Sequence, residues 1–264
     1  MTTTTTLSHG TSLVEGDVSC PYLFVEHVLD PGSTTPFRHH LEDQRRSFVL
    51  IDGAATVEFV DGAGRVVEMA IEKLAGWHAP PGSAFRVHTG GHGAVIVEAG
   101  VGNGPGTESA EAPDTRTVQD CTPISQYTVD KPWGHEVWYT ENVPEPGYAL
   151  KQIHMSAGNQ SSLQSHRYKV ETNYVVDGEA TVLNGLSAPE DPNTVIDLDR
   201  IPVRVHPART GWSSAAGILH RVIARADYTS MEVSTPELDD VIRWQDDSGR
   251  GNGRIATEHE AATR

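Results

Sequence analysis

Two stretches of this chain follow one plan. Residues 30–62, DPGSTTPFRHHLEDQRRSFVLIDGAATVEFVDG, pass from a Gly turn through a His-bearing segment into an apolar run that closes on Asp52-Gly53. Residues 156–185, SAGNQSSLQSHRYKVETNYVVDGEATVLNG, do the same and close on Asp177-Gly178. An acidic hairpin follows each, then a Trp-bearing strand, GWHAPPGSAFRV at 76–87 and GWSSAAGILHRV at 211–222. Each copy ends in an apolar run, AVIVEAG or YTSMEVS. Short Val-rich runs punctuated by Gly and Pro, repeated at this length, predict two copies of one β-fold.

Between the copies, GNGPGTESAEAPDTRTVQD (102–120) is small, polar and acidic without periodicity, which reads as a linker. The expected division is a flexible N-terminus (1–15), a first domain (16–101), a linker (102–125), a second domain (126–250) and a flexible tail (251–264). Each half then has the length of a small β-domain. A formal charge of −16 argues against nucleic acid, which requires a concentrated basic face. Cys20 and Cys121 lie far apart and outside metal-ligand spacing, so two free thiols are expected. The start MTTTTTLSHG lacks the regions of a signal peptide, and no apolar run approaches the ~20 residues of a membrane span. The expectation is a soluble, cytoplasmic protein without membrane or nucleic-acid partners. No nucleophile elbow, Walker loop or dinucleotide fingerprint occurs; GNGPGTES lacks a strand before it and a helix after it.

Several motifs resemble those of the cupin superfamily in its two-domain form, the bicupins. In the second half Glu171 is followed by six residues and Gly178, as in the first cupin motif, and Gly217-x-x-His220 matches the second with Ala215 in place of its proline. The resemblance implies an all-β protein of two tandem double-stranded β-helix (jelly-roll) barrels. Residues 129–250 are most similar to the C-terminal domain of type II mannose-6-phosphate isomerases. DKPWGHEVWY resembles that family's opening, ALKQIHM its basic strand, and ELDDVIRWQDDSGR its acidic ending. No nucleotidyltransferase domain accompanies it.

In a strand, residues two apart share a face, so Gln164 and His166 would both point into the barrel. The turn Arg167-Tyr168-Lys169 brings the chain back, Glu171 enters from the next strand, and His220 supplies a fourth group. Two imidazoles with carboxylate and amide oxygens suit one divalent ion, Zn, Mn, Fe or Ni, without selecting among them. The Gln-x-His pair also resembles the metal pair of type I mannose-6-phosphate isomerases. His166-Arg167-Tyr168 stands where the type II enzymes carry a run of histidines, so two potential ligands are replaced. The first half departs further: Phe85 takes the place of the motif histidine and Arg46 that of the glutamate. His39 and His40, being adjacent, face opposite sides of a strand. That half is expected to be a metal-free cupin used for packing or dimerisation, with a homodimer as one outcome.

The resemblance implies a metal-dependent sugar-phosphate isomerase or epimerase. His154 or Tyr168 would move the proton, and Lys151, Arg167, Arg221 and Arg250 would hold a small anionic sugar-like molecule. Two alternatives stay open. One is a metal-dependent oxygenase or lyase, because a fold hosts many chemistries. The other is a non-catalytic bicupin that binds a sugar or metabolite.

Overall fold

A computed structural model describes residues 2–12, 18–102, 106–112, 119–140, 147–191 and 193–255, with side chains from residue 18 onward. The chain forms two compact units, Met1–His9 with Pro21–Ser125, and Gly10–Cys20 with Gln126–Arg264. Regular structure among the described residues is strand throughout, apart from one 3-10 turn at Leu198–Arg200. No described helix is long and apolar enough to cross a membrane. Cys20 and Cys121 are buried and free.

The second unit is built from two six-stranded antiparallel sheets. One runs Tyr127–Lys131, Gly134–Thr140, Ala149–Met155, Tyr228–Ser234, Glu171–Asp177, Gly211–Ser214. The other runs Val203–Pro207, Glu179–Ser187, Ile218–Ile223, Leu163–Ser165, Val241–Gln245, Gly253–Ile255. Ile153, Met155, Val175, Trp212 and Tyr228 of the first meet Ala180 and Val182 of the second in a shared apolar core. A second cluster of Leu163, Leu183, Ile201, Leu219 and Trp244 lies behind the other sheet.

In the first unit the long strands Arg45–Val60 and Ala84–Val101 pair along most of their length, with register shifts at 50–52 and 53–55 that bend the sheet. Ser19–Leu29 and Phe37–His39 add to Ala84–Val101, while Val66–Ile71 and Gly76–Ala79 add to Arg45–Val60. Phe48, Leu50, Val57, Trp77, Phe85 and Ile96 fill the interior.

The repeat in the sequence has a steric cause. Gly53 and Gly178 adopt φ of +84° and +75°, and a Cβ would stand 2.2 Å from Gly93 O and 2.3 Å from Asp227 O. Gly76 and Gly211, each before a core tryptophan, lie against Phe48 O and Asn173 O, at 2.2 Å from where a Cβ would be in both copies. These positions admit only glycine.

Three segments carry more structure than their composition suggests. Within 102–125, Thr107–Ser109 pairs with Phe37–His39 and Thr122–Pro123 with Gly76–Ala79. Strands of three and two residues are too short to leave a periodic signal; 103–105 and 113–118 lie outside the described residues. The N-terminus carries the strand Thr2–Ser12, with 13–15 outside the described residues. Of the tail, Gly253–Ile255 pairs with Val241–Gln245, and 256–264 lie outside the described residues.

Candidate metal centre

Gln164 sits mid-strand in Leu163–Ser165, in register with His220 on Ile218–Ile223. His166 follows directly, and Glu171 opens the strand Glu171–Asp177. The intervening turn is held from both sides by Asp240. Its backbone carbonyl accepts His166 Nδ1–H at 2.6 Å, and its carboxylate accepts the backbone N–H groups of Tyr168 and, at 2.9 Å, Lys169.

These contacts fix the imidazole tautomers. A carbonyl oxygen only accepts, so Nδ1 of His166 must carry its proton. Nδ1 of His220 likewise donates to Ile218 O at 3.1 Å. In the neutral rings, the form that ligates a metal, both Nε2 atoms then present lone pairs inward. His166 Nε2 lies 3.4 Å from Glu171 Oε2, and His220 Nε2 3.3 Å from Glu171 Oε1. The three ligand atoms lie within 4.8 Å of one another, and all three residues are buried. His166 Nε2 has no hydrogen-bond partner among the described residues. Two lone pairs converging on a buried carboxylate repel one another unless a cation stands between them. The set fits a divalent metal ion.

The electrostatics agree. Burial pushes the His220 imidazole down to about 4, against the opposing pull of Glu171, so it is neutral and free to ligate near neutral pH. Burial raises the Glu171 carboxyl, but Lys169, His220 and His166 outweigh it and hold the group well below the usual carboxylate range.

Behind the three ligands runs a chain of buried charges. Lys169 Nζ donates to Glu171 Oε2 at 2.7 Å and to Glu232 Oε1 at 3.0 Å. Lys151 Nζ lies 3.4 Å from Glu232 Oε1 and 2.9 Å from Glu136 Oε1, and Lys131 Nζ lies 3.4 Å from Glu136 Oε2. Burial would lower both Lys151 and Lys169, but the glutamates between them keep each above the ordinary lysine value. All six line one cavity with His166, His220 and Gln164; its volume is ≈ 80 Å³.

Of the residues singled out in the sequence, His166, Glu171, His220, Gln164, Lys151 and Arg250 reach this cavity. Gln164 presents its amide nitrogen to His220 Nε2 at 3.2 Å, while its Oε1 accepts from Ser162 Oγ. It thus stands as a hydrogen-bonding neighbour of the ligand set, and only a turned amide would offer oxygen. Arg250 is clamped to Asp246 at 2.7 Å.

Four expectations are corrected. His154 alternates with the cavity-lining Lys151, Ile153 and Met155, so it faces the other side of the sheet, where Nδ1 meets Thr229 Oγ1 at 3.1 Å. Tyr168 is 61 % exposed at the turn and reaches no ligand. Arg167 lies over the Tyr168 ring at 5.2 Å, outside the cavity. Arg221 is buried but donates to Gln245 O at 2.9 Å and pairs with Asp247 at 3.2 Å. Sequence reasoning missed Lys131, Glu136, Glu232 and the role of Asp240. All four lie inside stretches quoted above, but a single charged residue gives no sign of the face it takes.

In the first unit the corresponding place is occupied differently. Phe48 is in register with Trp77 and Glu98, as Asn173 is with Trp212 and Glu232. Arg38 is in register with Phe85, as Gln164 is with His220. By this register Arg46 and Phe85 stand where Glu171 and His220 stand in the second unit. Among the described residues no cluster of metal-ligating side chains includes His40, and its ring packs between Phe48 and Phe85.

No family model and no curated protein matches the chain. Solved structures do. The oxalate decarboxylase of Lactobacillus farciminis in its formate complex matches with a TM-score of 0.59 and 14% identity, over 91% of this chain and 88% of that one. A Bacillus subtilis oxalate decarboxylase studied for its Mn(II) centres matches at 0.61 and 12%, over 85% and 71%. A variant of the Bacillus subtilis enzyme matches at 0.61 and 13%, over 91% and 78%. The likeness is one of fold: the chain has the tandem-barrel fold of the bicupins.

Proposed function

We propose that the second barrel is a divalent-metal enzyme of the lyase or oxygenase class that acts on a small dicarboxylate. The charge balance of the cavity carries this reading. Lys131, Lys151 and Lys169 cancel Glu136, Glu232 and Glu171. A divalent ion on His166, Glu171 and His220 leaves two uncompensated positive charges in a buried site, which a low-dielectric interior disfavours. A dianion of a few atoms neutralises both and suits a cavity of ≈ 80 Å³. The fold likeness to Mn(II) and formate-binding oxalate decarboxylases supports the same class.

The ion, when bound, supplies Lewis-acid polarisation of a substrate oxygen. The chain's residues supply the rest. Lys151 and Lys169, held protonated by their glutamates, offer charge-assisted N–H donors to carboxylate oxygens. Trp133, Ile153, Met155, Leu238 and Val241 exclude bulk water. Loss of carbon dioxide from a carboxylate leaves an electron pair on carbon, and a neighbouring lysine ammonium is the acid placed to protonate it.

The sugar-phosphate isomerase reading is weaker because Arg167 and Arg221, expected to hold the phosphate, lie off the cavity. The test uses protein loaded with Mn(II), Fe(II) or Zn(II) and offered oxalate, malonate or mannose 6-phosphate. Release of carbon dioxide without oxygen uptake identifies a lyase; release with uptake, an oxygenase. If no dicarboxylate binds or turns over in metal-replete protein, the reading fails. Turnover of mannose 6-phosphate would restore the isomerase.

A further inference from the structure

The first barrel holds a cavity of its own, ≈ 420 Å³, whose lining includes Arg38, Phe48, Trp77, Phe85, Val87 and Glu108. Its volume is that of a small-molecule site, and its character follows from the replacements at the metal position. Phe48 and Trp77 stack at 4.8 Å with planes 10° apart, and Phe85 meets both edge-on at 5.0 and 5.7 Å. They form an aromatic wall where the second barrel has Asn173, Trp212 and His220.

The charged groups differ as well. Glu98, 1 % exposed, receives Arg38 Nη1 at 2.7 Å, Arg46 Nε at 3.1 Å and His27 Nε2 at 2.7 Å. Two guanidiniums thus face one buried carboxylate. The remaining donors of Arg46 go to the carbonyls of Arg45, Val101 and Gly102. Among the described residues the Arg38 side chain makes one hydrogen bond, to Glu98, and it lines the cavity with donors to spare. Glu108 also lines the cavity but is exposed, so its charge is solvated. Trp77 Nε1 is fully buried and has no acceptor among the described residues. A buried indole N–H without a partner is rare in folded proteins.

We infer that the first barrel binds a small aromatic monoanion, its ring against Phe48, Trp77 and Phe85 and its carboxylate on Arg38. The site is independent of the metal centre and of the reaction proposed there. A guanidinium with free donors takes a carboxylate in paired, charge-assisted bonds, and the aromatic wall takes a planar ring in stacked or edge-on contact.

Calorimetric titration of the full, metal-loaded chain tests this with 1-naphthoate, its neutral counterpart 1-naphthylmethanol, and oxalate. The expected order is 1-naphthoate at least tenfold tighter than the alcohol, with oxalate not competing. Arg38→Gln should remove that preference and leave the alcohol within twofold. Val87→Trp, which fills the cavity, should abolish both. Retained metal in the second barrel and an unchanged far-UV spectrum check that each variant is folded. The wild-type comparison needs no variant. Equal binding of acid and alcohol, no binding of either, displacement by oxalate, or unchanged affinity in both folded variants would each overturn the assignment.

Discussion

Lys169 decides how tightly the second barrel holds its ion. Its ammonium lies 2.7 Å from Glu171 Oε2, the same oxygen that faces His166 Nε2. Partners behind a metal ligand tune its basicity: a carboxylate behind a ligand raises it, and a cation lowers it. Lys169→Met keeps the length of the side chain and removes the charge. A hydrogen bond to a charged group contributes about 1.5–3 kcal/mol. The lysine withholds that much from Glu171 as a metal donor, and about 1.4 kcal/mol is one decade in affinity. Metal affinity should therefore rise roughly 10- to 100-fold. Removing the lysine from the ion-free protein also leaves Glu171 and Glu232 without the cation between them, so stability in the presence of chelator should fall. The assay is competition for Mn(II) or Zn(II) against a fluorescent chelator near pH 7, with the exposed Lys73→Met as control. Unchanged or weaker binding by Lys169→Met would refute the argument and make the lysine an orienting partner of Glu171.

The other predictions concern separate parts of the molecule. His166→Ala with His220→Ala should lose the ion by elemental analysis, whereas His40→Ala should keep it. His154→Ala and Tyr168→Phe should leave turnover within about twofold, since neither side chain reaches the cavity. Glu98→Gln leaves two guanidiniums short of their counter-charge and should cost the first unit about 3–5 kcal/mol in its denaturant transition. Burial raises the Glu98 carboxyl, but Arg38, His27 and Arg46 hold it well below the ordinary range. Its stabilisation is therefore present above the unfolded value of about 4.3 and fades as pH falls further, so the gap to Glu98→Gln should close in acid.

The fold was legible because its constraints are local and repeated. The Asp-Gly turns and the Gly-Trp pairs mark places where only glycine fits, and they recur at matching positions in both copies. The three ligands were legible from spacing: Glu171 and His220 fall on the motif positions, and His166 stands two residues after Gln164. The supporting charges were not. Whether Lys151 faces the cavity or solvent depends on which side of Ala149–Met155 is covered, and that is settled by pairing with Tyr228–Ser234 some eighty residues on. Arg221 looked as suitable as Lys151, yet its neighbour on the ligand strand, His220, takes the cavity face and sends the arginine to the other side. Adjacent residues in a strand cannot both serve one pocket. The same alternation rules out His154 beside Ile153 and Met155.

The two barrels keep one buried carboxylate at equivalent register positions, Glu98 and Glu232. What surrounds it differs. In the second barrel Glu232 takes Lys151 and shares Lys169 with Glu171, whose carboxylate faces the two imidazoles as a cation site. In the first, arginine replaces the ligand glutamate and phenylalanine the ligand histidine, so two guanidiniums meet the same carboxylate. Neither replacement alone would keep the fold comfortable: Arg46 without Glu98 would be an uncompensated buried charge, and Phe85 without Phe48 and Trp77 would lack its packing partners. The divergence of the first barrel is thus a coordinated exchange of one kind of pocket for another, with the retained carboxylate serving as counter-ion in both.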